Sequence, residues 1–286
     1  MAVLSTPLLT VLSYSGGRQS SALLWMLLCE DIPRPEHLVI LNADPGMENS
    51  KTYEYTAMML ALCHKANITA FTVDGPSLVA DLLHLKDDPT KKRIDNPPYW
   101  TKDGKTGKQG RLIQNCTKHY KIAPMDRAIR RLLEERYALS RKNTRLPPKC
   151  VHKWIGFSYD EVFRMKPPSQ KYVEFVYPLI DMQLTNEAIH QYYLDNHLPE
   201  PPRSVCNACF ANGLATFRQM WEERPDDWAQ AVAVDDSVRD WSQIGVRDAV
   251  YVSKTMVPLR DLPRLDFNPD DSDSDNYSCD SGYCFT

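Results

Sequence analysis

Apolar residues in this chain fall into short runs separated by amphipathic stretches. Residues 8–13 form a β-suited run, followed by Ser15-Gly16-Gly17 and a helical pattern over 20–29. A second strand is predicted over 38–41, ending in Asn42-Ala43-Asp44-Pro45-Gly46, then a helix over 52–65 and a third strand over 68–73. Residues 124–139 read as a helix with proline near its start, a position proline tolerates because the first-turn N–H has no partner anyway. A fourth strand is expected over 154–158, a short helix over 160–165, an extended segment over 173–179, and helices over 186–196, 217–223 and 227–234. Residues 87–111 are polar and carry Pro97-Pro98, which predicts a loop or lid without regular structure. Strands alternating with helices build a parallel sheet, since each return crossover needs a helix. The expected fold is therefore α/β, a doubly wound, mostly parallel sheet with a helical C-terminal part.

Composition narrows the class. The chain has 286 residues, 43% hydrophobic and 25% charged, as a soluble globular protein would. No stretch approaches the ~20 apolar residues of a membrane span. The first residues lack the basic and apolar regions of a signal peptide. A cytoplasmic location and no membrane partner are expected. The net charge of −3 excludes a uniformly basic nucleic-acid coat. Locally the balance differs: residues 91–150 carry 17 Lys/Arg against 5 Asp/Glu, a difference of +12. Residues 266–286 carry six acids and no base. The middle is either a solvated face or an anion-seeking segment. The end is an acidic tail whose composition does not order itself.

The first candidate chemistry lies in Ser15-Gly16-Gly17-Arg18-Gln19-Ser20-Ser21, between a strand and a helix. Glycines admit unusual dihedrals, successive amides make an anion cradle, and the helix N-terminus adds its dipole. The hydroxyls of Ser15, Ser20 and Ser21 can donate, and Arg18 adds charge. No Gly-Lys-Ser/Thr follows, so this is not a Walker loop. The segment resembles the PP-loop of N-type ATP pyrophosphatases. Asp44-Pro45-Gly46-Met47-Glu48 is similar to the Asp-Thr-Gly-x-Glu segment of the PAPS reductase family. That resemblance implies ATP, or adenylyl sulfate, on the loop, with Asp44, Gly46 and Glu48 near base and ribose. Two departures stand out. Pro45 replaces Thr, and Gln19 replaces the Asp of many PP-loops, removing a carboxylate that would help hold magnesium near the phosphates.

Eight cysteines in 286 residues lie well below the ~8–10% of a small disulfide scaffold. In a reducing compartment, grouped cysteines bind metal or do redox chemistry. Cys206-Asn207-Ala208-Cys209 has the spacing of a metal, cluster or redox pair. Cys116, in a segment running to Lys121 and Pro124, resembles the Cys-Cys-x-x-x-Lys-x-x-Pro element of cluster-bearing adenylyl-sulfate reductases, with Thr117 in the second place. The resemblance implies a 4Fe–4S cluster on Cys116, Cys206 and Cys209. Cys150 is an optional fourth ligand, because Pro147-Pro148-Lys149-Cys150 is a loop-like stretch; zinc, or no metal, are the alternatives. Cys29 and Cys63 sit in apolar helical stretches and are expected in the core.

Trp154-Ile155-Gly156-Phe157-Ser158 and the following Arg164 and Lys166 resemble a family stretch after the fourth strand. Gly156 is then a nucleotide-site residue, and Arg164 and Lys166 are either surface charges or holders of phosphate or sulfate oxygens. Cys279 and Cys284 lie on the acidic tail, either inert or able to swing in and handle sulfur as thiolates.

The expected organisation is a nucleotide-binding domain over 1–185 with a basic insertion at about 87–111, a helical cluster region over 186–262, and a tail over 263–286. Two activities fit. One is a PP-loop ATP pyrophosphatase that adenylylates a DNA backbone or tRNA acceptor for iron–sulfur-assisted sulfur transfer, fed by a cysteine desulfurase or thioredoxin-type donor. The other is a sulfonucleotide reductase that releases sulfite through a tail cysteine. A nucleotide-binding subunit serving a partner complex is the non-enzymatic reading.

Overall fold

The computed structural model describes residues 7–88, 90, 94–137 and 146–264. The chain begins with β1 (Leu9–Tyr14), α1 (Arg18–Leu28), β2 (Leu38–Ala43), α2 (Ser50–Lys65) and β3 (Thr69–Val73). Next come α3 (Leu78–Leu83), β4 (Trp100–Lys102), β5 (Gln109–Arg111), α4 (Ala123–Tyr137), β6 (Val151–Trp154) and β7 (Val173–Val176). The chain continues through α5 (Pro178–Asp181), α6 (Asn186–Asp195), α7 (Leu214–Glu223), α8 (Pro225–Val238) and β8 (Ala249–Tyr251).

Five strands form one sheet in the order β3-β2-β1-β6-β7, and every pairing in it is parallel. The strand order reverses at β1, between β2 and β6, and ligands of such sheets bind beyond the carboxyl ends at that reversal. All six residues of β1 and of β2 are buried. Helices on both faces explain this, because a covered parallel strand reads as a continuous apolar run. Leu12 and Tyr14 face α1, α2 and α6 through Leu23, Met59 and Ile189. Leu9 and Val11 face α4 through Ile129 and Leu133. Each fully buried leucine or isoleucine there contributes about 1.5–3 kcal/mol of transfer free energy. α6 thus packs with the sheet layer, ahead of the Cys-x-x-Cys.

A third core joins α3, α7 and α8 to Met47, Tyr99, Tyr120, Cys206 and Cys209. A small antiparallel sheet, β5-β4-β8, lies over it. The segment 87–111 is therefore not the structureless loop expected: it carries a hairpin, completed by a strand from far along the chain. Three-residue strands are too short to show a period-2 pattern, and β8 supplies half of β4's pairing. Asp235 anchors this region, accepting the N–H groups of Val252 at 2.9 Å and Leu259 at 3.0 Å. No helix among the described residues is long and apolar enough to cross a membrane.

Candidate functional site

The turn after β1 is built for close approach. Gly16 has φ +76°, and a Cβ there would meet Thr56 Oγ1 at 2.9 Å. Ser15 and Ser20 hydroxyls lie 3.1 Å apart, and the Ser20 hydroxyl is within reach of the Gly17 carbonyl at 3.2 Å. Gly17 caps α1 without a side-chain hydrogen bond, which leaves first-turn N–H groups for an anion.

A cavity of about 320 Å³ opens beside this turn, at the carboxyl ends of β1, β2 and β3. Ser15, Asp44 and Glu48 line it, as expected. Asn42, Thr52, Tyr53, Thr56 and Thr72 join them and were not anticipated. Thr52, Tyr53 and Thr56 share the opening turns of α2, and a polar cluster in the turn after the second strand is the signal that could have revealed them. The Tyr53 hydroxyl donates to Asp44 Oδ1 at 2.8 Å and accepts the Glu48 N–H at 3.2 Å. Burial, and then the Asp44 carboxylate, push the Tyr53 phenol above its ordinary range. The Gly46 N–H donates to Asp44 Oδ1 at 2.7 Å, so Gly46 shapes this segment through its backbone.

Several expected nucleotide residues point elsewhere. Arg18 pairs with Glu200. Ser21 is fully buried and hydrogen-bonds the Tyr14 hydroxyl at 3.3 Å. Gln19 donates to Asn186 Oδ1 at 2.8 Å and lies 3.5 Å from Glu161 Oε2. That explains its departure from the PP-loop pattern, since an aspartate here would face the Glu161 carboxylate. Gly156 acts by packing: a Cβ there would lie 2.8 Å from the Ser20 backbone nitrogen.

Across the wall of the cleft lies a second, much smaller cavity. Cys116, Cys206 and Cys209 line it together with Pro45, Met47, Lys121 and Phe210. Its volume of about 30 Å³ admits a water-sized group and excludes a nucleotide. The Cys-x-x-Cys segment is fastened directly onto the Asp44–Glu48 segment. Glu48 and Cys206 form an isolated β-bridge, and the Asn207 N–H donates to the Met47 carbonyl at 2.8 Å. Ser204 donates to the Ser15 carbonyl at 2.9 Å, Tyr99 to the Ala208 carbonyl at 2.9 Å, and Asn212 to the Cys206 carbonyl at 3.0 Å.

Lys121 Nζ donates to Glu48 Oε1 at 2.8 Å, and Cys206 Sγ lies 3.9 Å from the same oxygen. Burial works to discharge Lys121, but Glu48 and then Cys206 outweigh it and raise its pKa. Burial pushes all three thiols up, Cys209 to about 12, while Lys121 pulls the other way on each. The three thiols lining this cavity are soft donors of the kind a thiophilic metal takes, but they are not drawn together around one point. Among the described residues, no set of three or more His, Cys, Asp or Glu side chains is arranged to hold a metal ion.

Cys150 is not part of this group. It is buried in the core between the sheet and α4, among Leu9, Leu133 and Val151, so it does not complete a ligand set. Cys29, expected in the core, is exposed at the end of α1, whereas Cys63 is buried. Cys279 and Cys284 lie outside the described residues.

Arg164 is neither a surface charge nor a lining residue of the cleft. It is buried, reaches Glu161 Oε1 at 2.5 Å, and stacks 4.1 Å over the Phe157 ring. Burial lowers its pKa, with Glu161 opposing. Lys166 lines a separate cavity of about 360 Å³ with Lys149, Glu174 and Tyr177. The anion-holding role expected of this pair is thus not supported at the nucleotide cleft.

No family model matches the chain, and no curated protein matches it. Among solved structures, it is similar to the U34-tRNA thiolase NcsA from Methanococcus maripaludis with its 4Fe–4S cluster, at 13% identity and a TM-score of 0.41, over 82% of this chain and 73% of that one. At that level of likeness the chain's own residues carry the functional reading.

Proposed function

We propose that the protein is a PP-loop-type ATP pyrophosphatase that activates a nucleic-acid acceptor, a tRNA base or a DNA backbone, for sulfur transfer. One observation carries this reading: a single segment walls both cavities. Asp44 and Glu48 line the larger cleft, while Pro45 and Met47 line the thiol-bearing pocket. A nucleotide in the first would lie one residue layer from sulfur chemistry in the second.

ATP would lie with its phosphates at Ser15-Gly16-Gly17 and its base and ribose toward Asn42, Asp44 and Thr72. Magnesium would travel with the phosphates, and Asp44 and Glu48 are the carboxylates lining the cleft. An oxygen of the acceptor attacks the α-phosphorus, the bond to pyrophosphate breaks, and the acceptor is left adenylylated. The α1 N-terminus and turn amides stabilise the charge that develops on the phosphates. Sulfide then displaces AMP; where a cysteine desulfurase delivers the sulfur as a persulfide, a thioredoxin-type dithiol would first reduce it, releasing sulfide and leaving the dithiol as a disulfide. Cys116, Cys206 and Cys209 would hold an iron–sulfur centre, which would supply iron to bind the incoming sulfur. Lys121 and Glu48 keep the charge on the shared wall balanced.

The test is incubation of anaerobically reconstituted protein with ATP, a sulfide source and unmodified RNA or DNA. Acceptor-dependent pyrophosphate release with sulfur incorporated is the expected result. Sulfite release from adenylyl sulfate, with no pyrophosphate from ATP, would replace this reading with the reductase.

A further inference from the structure

The acceptor's docking place is legible in the small sheet. Along β4, Thr101 is buried while Trp100 is half-buried and Lys102 exposed. Across the register, Thr101 opposes Gly110 and Val250, and Val250 is fully buried. The inner face is thus fixed, and the pleat puts the other set on the outer face. That set is two rows: Arg111–Trp100–Tyr251 and Gln109–Lys102–Ala249.

Arginines lie against the rings of the first row. The Arg111 guanidinium is 5.7 Å from the Trp100 ring centre and 5.5 Å from that of Phe210. The Arg239 guanidinium lies 3.8 Å over Tyr251, held there by Asp235 and the Val250 carbonyl, so its charge is already paired. Lys105 and Lys108 extend the positive charge around the hairpin turn. Among the described residues no carboxylate pairs with Lys102, Lys105, Lys108 or Arg111, whereas Arg130 and Arg131 of α4 are paired along their own helix. Phe210, under Arg111, also lines the thiol pocket, so this face is continuous with it.

We propose that the outer face of the β5-β4-β8 sheet is a docking platform for an unpaired segment of RNA, which it presents to the cysteine pocket. Aromatic rings and guanidinium planes stack unpaired bases, and lysines take the backbone phosphates. The half-buried Trp100 ring with the exposed Arg111 guanidinium against it suits unpaired bases, which stack on such faces, rather than a closed duplex. The inference rests on the sulfur-transfer reading for its purpose, though its test measures binding alone.

Full-length protein would be titrated into fluorescently labelled RNA hairpin, single-stranded DNA of the same sequence, and duplex DNA, at several salt concentrations. ATP binding is followed separately by calorimetry. Wild type should bind the RNA loop in preference to duplex DNA. Lys102→Glu with Lys108→Glu should weaken RNA binding about tenfold or more and flatten the salt slope by about one unit per lost phosphate contact. Arg218→Glu, on α7, should bind RNA as wild type does, and all variants should bind ATP equally. Unchanged RNA affinity in the hairpin variants, or duplex or single-stranded DNA bound as tightly as the RNA loop, would overturn the platform. Wild type that binds ATP but no RNA overturns the platform and leaves nucleotide chemistry standing; failure to bind ATP removes the parent reading instead.

Discussion

Lys121 donates to Glu48 at 2.8 Å, and the two side chains are only 9% and 7% exposed. This ion pair stands in the wall between the nucleotide cleft and the thiol pocket. Removing one partner from such a pair strands a buried charge, at a cost of about 3–5 kcal/mol. Lys121→Met should therefore lower the urea midpoint by the equivalent of that loss, and adding Glu48→Gln should restore part of it. A single-variant loss under about 1 kcal/mol would mean that water reaches the pair.

The buried thiols give a pH dependence with a definite sign. Folded Cys209 is pushed up to about 12, and Cys116 and Cys206 are also raised. An unfolded thiol titrates near ~8.5. Above that pH the unfolded chain releases protons that the folded chain retains, so stability falls. Metal-free protein should be fully stable below about pH 8.5 and lose stability as pH rises toward the folded thiol values. Cys209→Ala should flatten the slope; a flat wild-type profile between about pH 8 and about pH 10, which spans the unfolded thiol range, would contradict the burial.

Gly156 is a packing residue for the loop. Its added methyl would lie 2.8 Å from Ser20 N and 2.9 Å from Ser20 Cα, and backbone cannot swing aside. Gly156→Ala should cost about 1–3 kcal/mol and weaken ATP binding together with stability. Unaltered ATP affinity in calorimetry would show that the turn tolerates displacement.

Gln19→Glu tests why this chain lacks the acidic PP-loop residue. A carboxylate there would stand beside Glu161, 3.5 Å from the present amide. Stability at pH 7 should fall by about 1 kcal/mol or more, and the deficit should close as pH drops through the carboxylate range near ~4. A thermal melt at the two pH values decides it; an equal deficit at both would assign the loss to packing instead.

Metal content separates the cysteines by place. Anaerobically reconstituted protein should carry iron and sulfide, close to the about four irons of a cubane. Serine at Cys116, Cys206 or Cys209 should abolish loading, while Cys150→Ala should leave iron content unchanged and cost only the stability of a small core deletion. Zinc in place of iron would replace the cluster while retaining the three positions.

The central sheet was legible because buried parallel strands write themselves as apolar runs, as over Leu9–Tyr14 and Leu38–Ala43. The strands β4, β5 and β8 were not, since each has three residues and their partners are distant or short. The Ser15 turn and the Asp44–Glu48 segment were visible as motifs. Their third neighbour, the threonine-lined start of α2, is marked only by its polar cluster just after the second strand, since helical threonines by themselves carry no signature of the cavity they face. Cys150 misled because a loop-like Pro147-Pro148 context says nothing about which side of the sheet the following strand enters. Arg164 was read as an anion holder or a surface charge, and only the fold reveals Glu161 and Phe157 enclosing it away from the cleft.

Cys116 reaches the pocket before α4, whereas Cys206 and Cys209 arrive only after β7 and α6 have been added. During synthesis, then, the first thiol leaves the ribosome long before its companions exist. A nascent chain ending at α6 would own the whole parallel sheet and a single thiol of the three. The thiol pocket is consequently complete only once residues 206–209 have joined the chain, and the third core closes only with the still later α7, α8 and β8.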